Sequence, residues 1–91
     1  MTEGRSFRVV GRVQGVGYRW FAQKAARIEG LTGWVRNDPD GSVEAFAEGE
    51  RESLDRFEVR LGHGPAGARV EAVDVVPQPA TNHFADFSIR G

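Results

Sequence analysis

Cysteine is absent from this chain of 91 residues. Neither a disulfide framework nor a thiolate metal site can therefore hold the fold together, so apolar packing has to do so. No segment approaches the length of a membrane span, and no apolar run follows the amino terminus that could act as a signal peptide. These absences predict a soluble cytoplasmic protein without a membrane partner, built as one domain over residues 1–91.

Acidic residues are missing from the segment between Glu3 and Glu29, which holds six lysines and arginines. Over the whole chain, twelve basic side chains are balanced by thirteen acidic ones, which leaves a net charge of −1. A nearly neutral protein has no global field that attracts nucleic acid, so we expect no nucleic-acid partner. The local excess of cations surrounds the Gly-rich segment 11–19.

The segment 11–19, Gly-Arg-Val-Gln-Gly-Val-Gly-Tyr-Arg, is where the sequence points most directly to chemistry. A short β-branched run precedes it, and residues 20–28 have the pattern of a helix. A strand, a Gly-rich turn and a helix N-terminus direct unpaired main-chain N–H groups and the positive end of the helix dipole to one point. Arg19 adds a planar cation there, and a phosphate-sized anion is the ligand that suits such a point.

The glycines of this segment permit other interpretations. A nucleotide P-loop ends in Gly-Lys-Ser or Gly-Lys-Thr, whereas Tyr18 and Arg19 follow Gly17 here. A dinucleotide fingerprint would place Trp20 where a third glycine is needed, in a chain too short for a doubly wound sheet. The structural alternative is that Gly15 and Gly17 only supply positive φ for a tight turn, with Arg19 solvated. From the glycines alone, that alternative is favoured.

Hydrophobic periodicity and turn signals divide the chain into strands and helices. Strands are predicted at about 6–13, 32–37, 42–47, 69–76 and 84–90, and helices at about 18–29 and 50–61. The order β-α-β-β-α-β with an extra strand predicts a ferredoxin-like α/β sandwich of the α+β class. Its sheet would be mixed, largely antiparallel and covered by two helices on one face.

Apolar residues at helical spacing predict which helix faces are buried. Those of the first helix are Phe21, Ala22, Ala25 and Ile28. Those of the second helix are Leu54, Phe57 and Leu61.

Pro77 and Pro79 should stop the fourth strand, and the fifth should be a short strand at a sheet edge. The aromatic residues expected to pack in the core or at its rim are Trp20, Trp34, Phe46, Phe57 and Phe87.

Asn37 is predicted to lie near Arg19. A strand, a crossover helix and a second strand form a unit whose strands run parallel, so the ends at the Gly-rich turn and at Asn37 share one edge of the sheet. From its own segment alone, Asn37 is better explained as the residue that opens the following turn. Asp38 and Asp40 of Asp-Pro-Asp-Gly are likewise better explained as turn residues than as a metal or acid–base pair.

Two segments together resemble the signatures of the acylphosphatase family. They are residues 11–19 and the run from Gly33-Trp34-Val35-Arg36-Asn37 to Asp40-Gly41-Ser42-Val43-Glu44. The resemblance covers nearly the whole chain and implies the same ferredoxin-like fold. It also implies an enzyme that acts as a monomer, without metal or other cofactor. Its substrate would be a small-molecule acyl phosphate, hydrolysed to a carboxylate and inorganic phosphate.

The resemblance implies a role for individual residues. Arg19 would bind the phosphate, and Asn37 would position the attacking water. The main-chain N–H groups that would complete the phosphate cradle are those of Gly15, Val16, Gly17 and Tyr18. Asp38 departs from the family, in which a threonine or serine often follows the asparagine. Its carboxylate must turn away from the phosphate, or it lowers the affinity.

Two other functions stay open. An acylphosphatase-like domain also forms part of a hydrogenase maturation protein, so the chain could be a non-catalytic module that binds a phosphoanion or carbamoyl phosphate. Ferredoxin-like sheets can also bind RNA through exposed aromatic side chains, but the first predicted strand has no aromatic pair. Multiple-turnover hydrolysis distinguishes the enzyme from the binding module.

Overall fold

Alternating apolar residues and turn signals produce five strands and two helices in the computed structural model, which describes residues 1–91. In chain order these are β1 (Glu3–Arg12), α1 (Tyr18–Ile28), β2 (Thr32–Asn37), β3 (Val43–Gly49), α2 (Arg51–His63), β4 (Arg69–Gln78) and β5 (Phe87–Arg90). The predicted ferredoxin-like order with an additional strand is confirmed. Neither helix has the length and apolar character needed to cross a lipid bilayer.

The five strands form one mixed sheet in the order β4-β1-β3-β2-β5. Both β1 and β2 pair with β3 in the antiparallel sense, so they run parallel to each other on either side of it. β4 is antiparallel to β1, and β5 is parallel to β2. The carboxyl ends of β1, β2 and β5 therefore lie at the same edge of the sheet.

Phe57 anchors α2 to the sheet. Its ring meets that of Phe7 in β1 at 5.3 Å between centroids and that of Phe87 in β5 at 5.8 Å, both edge-on. The whole predicted stripe of α2, including Leu54 and Leu61, is buried as expected. On the same face of the sheet, α2 packs over β4, β1 and β3, while α1 packs mainly over β2 and β5.

α1 buries a stripe that matches the prediction only in part, at Ala22 and Ala25. Its buried residues are Tyr18, Ala22, Ala25 and Ala26. Ile28 is 61% exposed, so the prediction that it faces the sheet is wrong. The helix is rotated so that alanines meet the sheet, and small side chains allow the two to pack closely. Leu31, just beyond the helix, is buried and packs in the hydrophobic core near the C-terminal end of α1.

The two edge strands differ from their predicted lengths. β4 continues through Pro77 to Gln78, and Pro77 pairs with Arg5 of β1. The prediction that Pro77 stops this strand is wrong, because one side of an edge strand has no neighbouring strand and tolerates a missing N–H. The strand does end directly before Pro79. β5 is the short edge strand that was expected, although it starts at Phe87 rather than at residue 84.

Candidate active site

The segment between β1 and α1 turns sharply at two glycines. Gly15 and Gly17 have φ of 75° and 77°, a left-handed conformation that other residues rarely adopt. No side chain caps the start of α1, and its first turn holds no acidic residue. None of the main-chain N–H groups from Gly15 to Trp20 donates a hydrogen bond within the protein. These donors, at the positive end of α1, are free for a ligand.

A pocket of about 210 Å³ lies beside this loop. Its walls come from the loop, the start of α1 and the ends of β2 and β5: Val13, Gly15, Gly17, Tyr18, Arg19, Trp20, Asn37 and Ile89. Arg19 and Asn37 thus share one pocket, as the crossover argument predicted. Val16 is not part of the wall, because its side chain packs against the core. The chemical roles of all these residues stay predictions.

The guanidinium of Arg19 is held by the main chain at the end of β5. Its Nη1 donates to the main-chain oxygen of Gly91 at 2.9 Å and to that of Arg90 at 3.4 Å. β5 can reach Arg19 because it runs parallel to β2 and ends at the same edge of the sheet. Only one of the three guanidinium nitrogens is used in these contacts, so Nε and Nη2 can donate to an anion.

Asn37 is the last residue of β2 and lies opposite Val43 of β3. Its Oδ1 is buried without a hydrogen-bond partner, and it is the one buried side-chain nitrogen or oxygen of which this is true. The Asn37 side-chain oxygen therefore makes no hydrogen bond within the turn. The interpretation of Asn37 as a residue that only opens this turn is thereby removed. An unpaired buried acceptor costs about 1–3 kcal/mol. Because this acceptor lies in a pocket wall, its partner would be a hydrogen-bond donor that enters the pocket from outside the chain, such as water.

Gln14 links the Gly-rich loop to the turn after Asn37. Its Nε2 donates to the main-chain oxygen of Asp38 at 2.7 Å and to that of Ser42 at 2.9 Å. The loop and the β2–β3 hairpin are thereby joined across the edge of the sheet. The sequence analysis gave Gln14 no role, because its partners are main-chain groups that the fold alone brings close.

The carboxylate of Asp38 turns towards Arg36. Its Oδ1 accepts a hydrogen bond from Nε of Arg36 at 3.1 Å, and Arg36 also pairs with Glu44 at 2.6 Å. Asp38 is not part of the pocket wall. Its carboxylate is therefore partly neutralised by Arg36 and directed away from the place where a phosphate would lie.

Asp40 shapes the turn between β2 and β3. Its Oδ1 accepts hydrogen bonds from the hydroxyl of Ser42 at 2.6 Å and from the main-chain N–H of Ser42 at 2.9 Å. These bonds, together with the charge of Arg8, hold the pKa of Asp40 below its ordinary value. The interpretation of Asp40 as a turn residue is confirmed. No group of three or more His, Cys, Asp and Glu side chains lies close enough together to hold a metal ion.

Tyr18 connects the start of α1 to α2 through its side chain. The hydroxyl donates to the main-chain oxygen of Leu61 at 2.6 Å, and burial raises the pKa of the phenol. The sequence analysis treated Tyr18 only as a main-chain donor. Its side chain fixes the first residue of α1, and with it the predicted phosphate cradle, against the core.

Trp20 and Ile89 are apolar residues of the pocket wall that the sequence did not suggest. Trp20 is 63% exposed, so the expectation that it packs in the core or at its rim is wrong. The ammonium group of Lys24 lies over its ring, 5.1 Å from the centroid. Ile89 reaches the pocket only because β5 pairs with β2, and no local pattern reveals such a long-range pairing.

Sequence comparison identifies the family to which the chain belongs. A model of the acylphosphatase family matches residues 5–89. The chain belongs to the acylphosphatase family. It is 46% identical over 89 residues to the acylphosphatase of Koribacter versatilis, a match that covers 98% of this chain and 81% of that relative.

Structural comparison finds the same fold in an acylphosphatase and in part of a larger protein. The crystal structure of acylphosphatase from Bacillus subtilis superposes with a TM-score of 0.93 at 37% identity, and the match covers 100% of both chains. Full-length HypF, crystallised in a phosphate- and nucleotide-bound form, gives a TM-score of 0.92 at 27% identity. That match covers 100% of this chain but only 12% of HypF, so the same fold also occurs as a small part of a larger protein.

Proposed function

We propose that this chain hydrolyses acyl phosphates to a carboxylate and inorganic phosphate, as the name of its family indicates. Arg19 and the main-chain N–H groups of the loop would bind the phosphate, and Asn37 would hold the attacking water. The observation that carries the proposal is the unpaired, buried Oδ1 of Asn37 in the same pocket as Arg19. An acceptor and a cation placed in this way suit a water and a phosphate side by side.

Phosphate binding needs several donors around one anion, and the loop provides them. The N–H groups of Gly15, Val16, Gly17 and Tyr18 are all free, and the positive end of α1 adds a partial charge. Arg19 contributes a full positive charge. A pair of unit charges 4 Å apart is worth about 4 kcal/mol at an effective dielectric constant of 20, so Arg19 is the largest single contribution.

Hydrolysis then requires a water in line with the bond that breaks. The Oδ1 of Asn37 would accept a hydrogen bond from the water and direct its oxygen at the phosphorus. The bond from water oxygen to phosphorus forms while the bond from phosphorus to the acyl oxygen breaks, and the carboxylate leaves with the electron pair. A phosphate oxygen takes the proton released by the water. A carboxylate leaves without protonation, so this scheme needs neither a general acid nor a metal.

The proposal is tested by measuring phosphate release from benzoyl phosphate without added metal and with a chelator present. We expect Arg19→Gln to lower kcat/KM by about a thousandfold and to weaken competitive inhibition by inorganic phosphate. Asn37→Ala should lower kcat by roughly a hundredfold to a thousandfold while inhibition by phosphate persists. A monomer should account for the full activity, which sedimentation at the assay concentration can check.

Arg27→Gln is the matched control. Arg27 lies at the other end of α1 and pairs on the surface with Asp86 at 2.7 Å, so its loss should change turnover by less than about twofold. If Asn37→Ala binds phosphate and turns over like the parent, the role assigned to Asn37 is wrong. If the parent binds phosphate but never hydrolyses an acyl phosphate, the enzyme proposal is wrong.

A non-catalytic binding module is the second candidate, and the similarity to a part of HypF favours it. Phosphate binding without turnover would support it. The RNA-binding alternative is disfavoured because the chain itself covers the face of β3 opposite the helices: Phe46 packs against Phe84, and Glu48 is buried. An aromatic ring that already packs against another ring is not free to stack on the bases of a nucleic acid.

A further inference from the structure

Two apolar side chains at the mouth of the pocket take no part in the proposed phosphate chemistry. Trp20 is 63% exposed and Ile89 is 39% exposed, and both line the pocket together with Arg19 and Asn37. The other large exposed hydrophobic residues of the chain lie elsewhere: Met1, Ile28, Val59 and Val76. Exposed apolar side chains gathered beside a polar site indicate a binding surface.

The fold holds this pair of side chains against the phosphate cradle. Trp20 follows Arg19 directly in the first turn of α1, and Lys24, one turn further on, lies over the indole ring at 5.1 Å. This cation–π contact covers one face of the ring and restrains its orientation. Ile89 shares the helix-facing side of β5 with the buried Phe87, two residues earlier. It stays accessible where β5 reaches the edge of the sheet.

In an acyl phosphate, one oxygen atom joins the phosphorus to the carbonyl carbon. When the phosphate lies in the cradle, the acyl group therefore has to lie next to it, within the same pocket. The in-line water comes from the side of Asn37, so the leaving acyl group points away from Asn37. Trp20 and Ile89 are the large apolar side chains at the mouth of the pocket that can receive it.

We propose that Trp20 and Ile89 form a binding surface for the acyl part of the substrate. The chain should therefore favour acyl phosphates with an aromatic or branched aliphatic acyl group over acetyl phosphate. This inference rests on the proposed function, because it concerns the same pocket and the same reaction. The acyl group packs against the indole and the isoleucine side chain, which removes apolar surface from water in both the bound substrate and the transition state.

The test compares kcat/KM for benzoyl phosphate with that for acetyl phosphate. In Trp20→Ala the benzoyl-to-acetyl ratio should fall by about tenfold, the effect of losing roughly 50 Å² of apolar contact with the phenyl ring. In Ile89→Ala it should fall by about threefold, since the side chain that is removed is smaller. Trp20→Phe should keep most of the ratio, because a ring remains. Val59→Ala, an exposed apolar residue on α2 outside the pocket, is the control and should leave the ratio unchanged.

Competitive inhibition by phenylphosphonate and methylphosphonate gives a second readout that involves no turnover. The preference for the phenyl compound should fall in Trp20→Ala by the same factor as the substrate ratio. If Trp20→Ala and Ile89→Ala keep the parent ratio with both substrates hydrolysed, the inference is wrong and the proposed function stands. If the parent hydrolyses neither substrate, the proposed function fails and the inference fails with it.

Discussion

Replacing Gln14 by methionine should slow catalysis as well as destabilise the fold. The substitution keeps the length of the side chain and removes both hydrogen bonds from Nε2, to the main-chain oxygens of Asp38 and Ser42. Each oxygen retains a second donor: Gly41 N–H for Asp38 at 3.1 Å and Asp38 N–H for Ser42 at 2.9 Å. No acceptor is left wholly unpaired. The loss is therefore the net value of two hydrogen bonds, about 1–3 kcal/mol of unfolding free energy in total.

The effect of this substitution on catalysis has a different origin. Gln14 is the direct hydrogen-bonded link between the Gly-rich loop and the hairpin that carries Asn37. Without it, the distance between the phosphate cradle and the water-holding amide is less strictly set. A displacement of 1 Å between reacting groups can cost about a hundredfold in rate. We expect kcat for benzoyl phosphate to fall by about tenfold to a hundredfold, with a smaller change in phosphate affinity.

Gln23→Met is the matched control for Gln14→Met. Gln23 is a partly buried glutamine whose Nε2 donates to the main-chain oxygen of Phe87 at 3.1 Å, between α1 and β5 and outside the pocket wall. Its loss should cost about 0.5–1.5 kcal/mol of unfolding free energy and leave kcat unchanged. Urea unfolding and steady-state kinetics on the same samples give both quantities. If Gln14→Met loses no more kcat than Gln23→Met, the positioning argument is refuted.

Two further predictions concern stability. Phe57→Ala should lower the unfolding free energy by about 3–5 kcal/mol in urea titrations, because a fully buried ring is removed, and a loss below about 1 kcal/mol would contradict its central place in the core. Burial alone would raise the pKa of Glu48, but the main-chain N–H groups of Thr81 and Asn82 donate to its carboxylate and hold the pKa below its ordinary value. This carboxylate therefore stabilises the fold above the unfolded-state pKa of about 4.3, and the contribution is lost as the pH falls through the lower folded-state pKa. Unfolding free energy measured from pH 7 to pH 2 should decline less in Glu48→Gln than in the parent, and equal declines would disprove the assignment.

Local patterns were sufficient to predict the order of the elements and the meeting of two distant residues. Strand and helix periods are properties of a few neighbouring residues, and the parallel course of strands joined by a crossover helix follows from chain geometry. Together they place Arg19 and Asn37 at one edge of the sheet before any long-range contact is known. The positive φ of Gly15 and Gly17 could be predicted for the same reason, since a left-handed turn depends only on the residues that form it.

Tertiary structure alone decided the details of the site. Ile28 is left outside the core because the rotation of α1 depends on how alanines fit the sheet. Gln14 bonds to main-chain oxygens of a hairpin more than twenty residues away. Trp20 and Ile89 form one pocket wall because β5, the last strand, pairs with β2. A sequence encodes such contacts only through the packing of the complete fold, whereas the turn, the helix start and the crossover are encoded by adjacent residues.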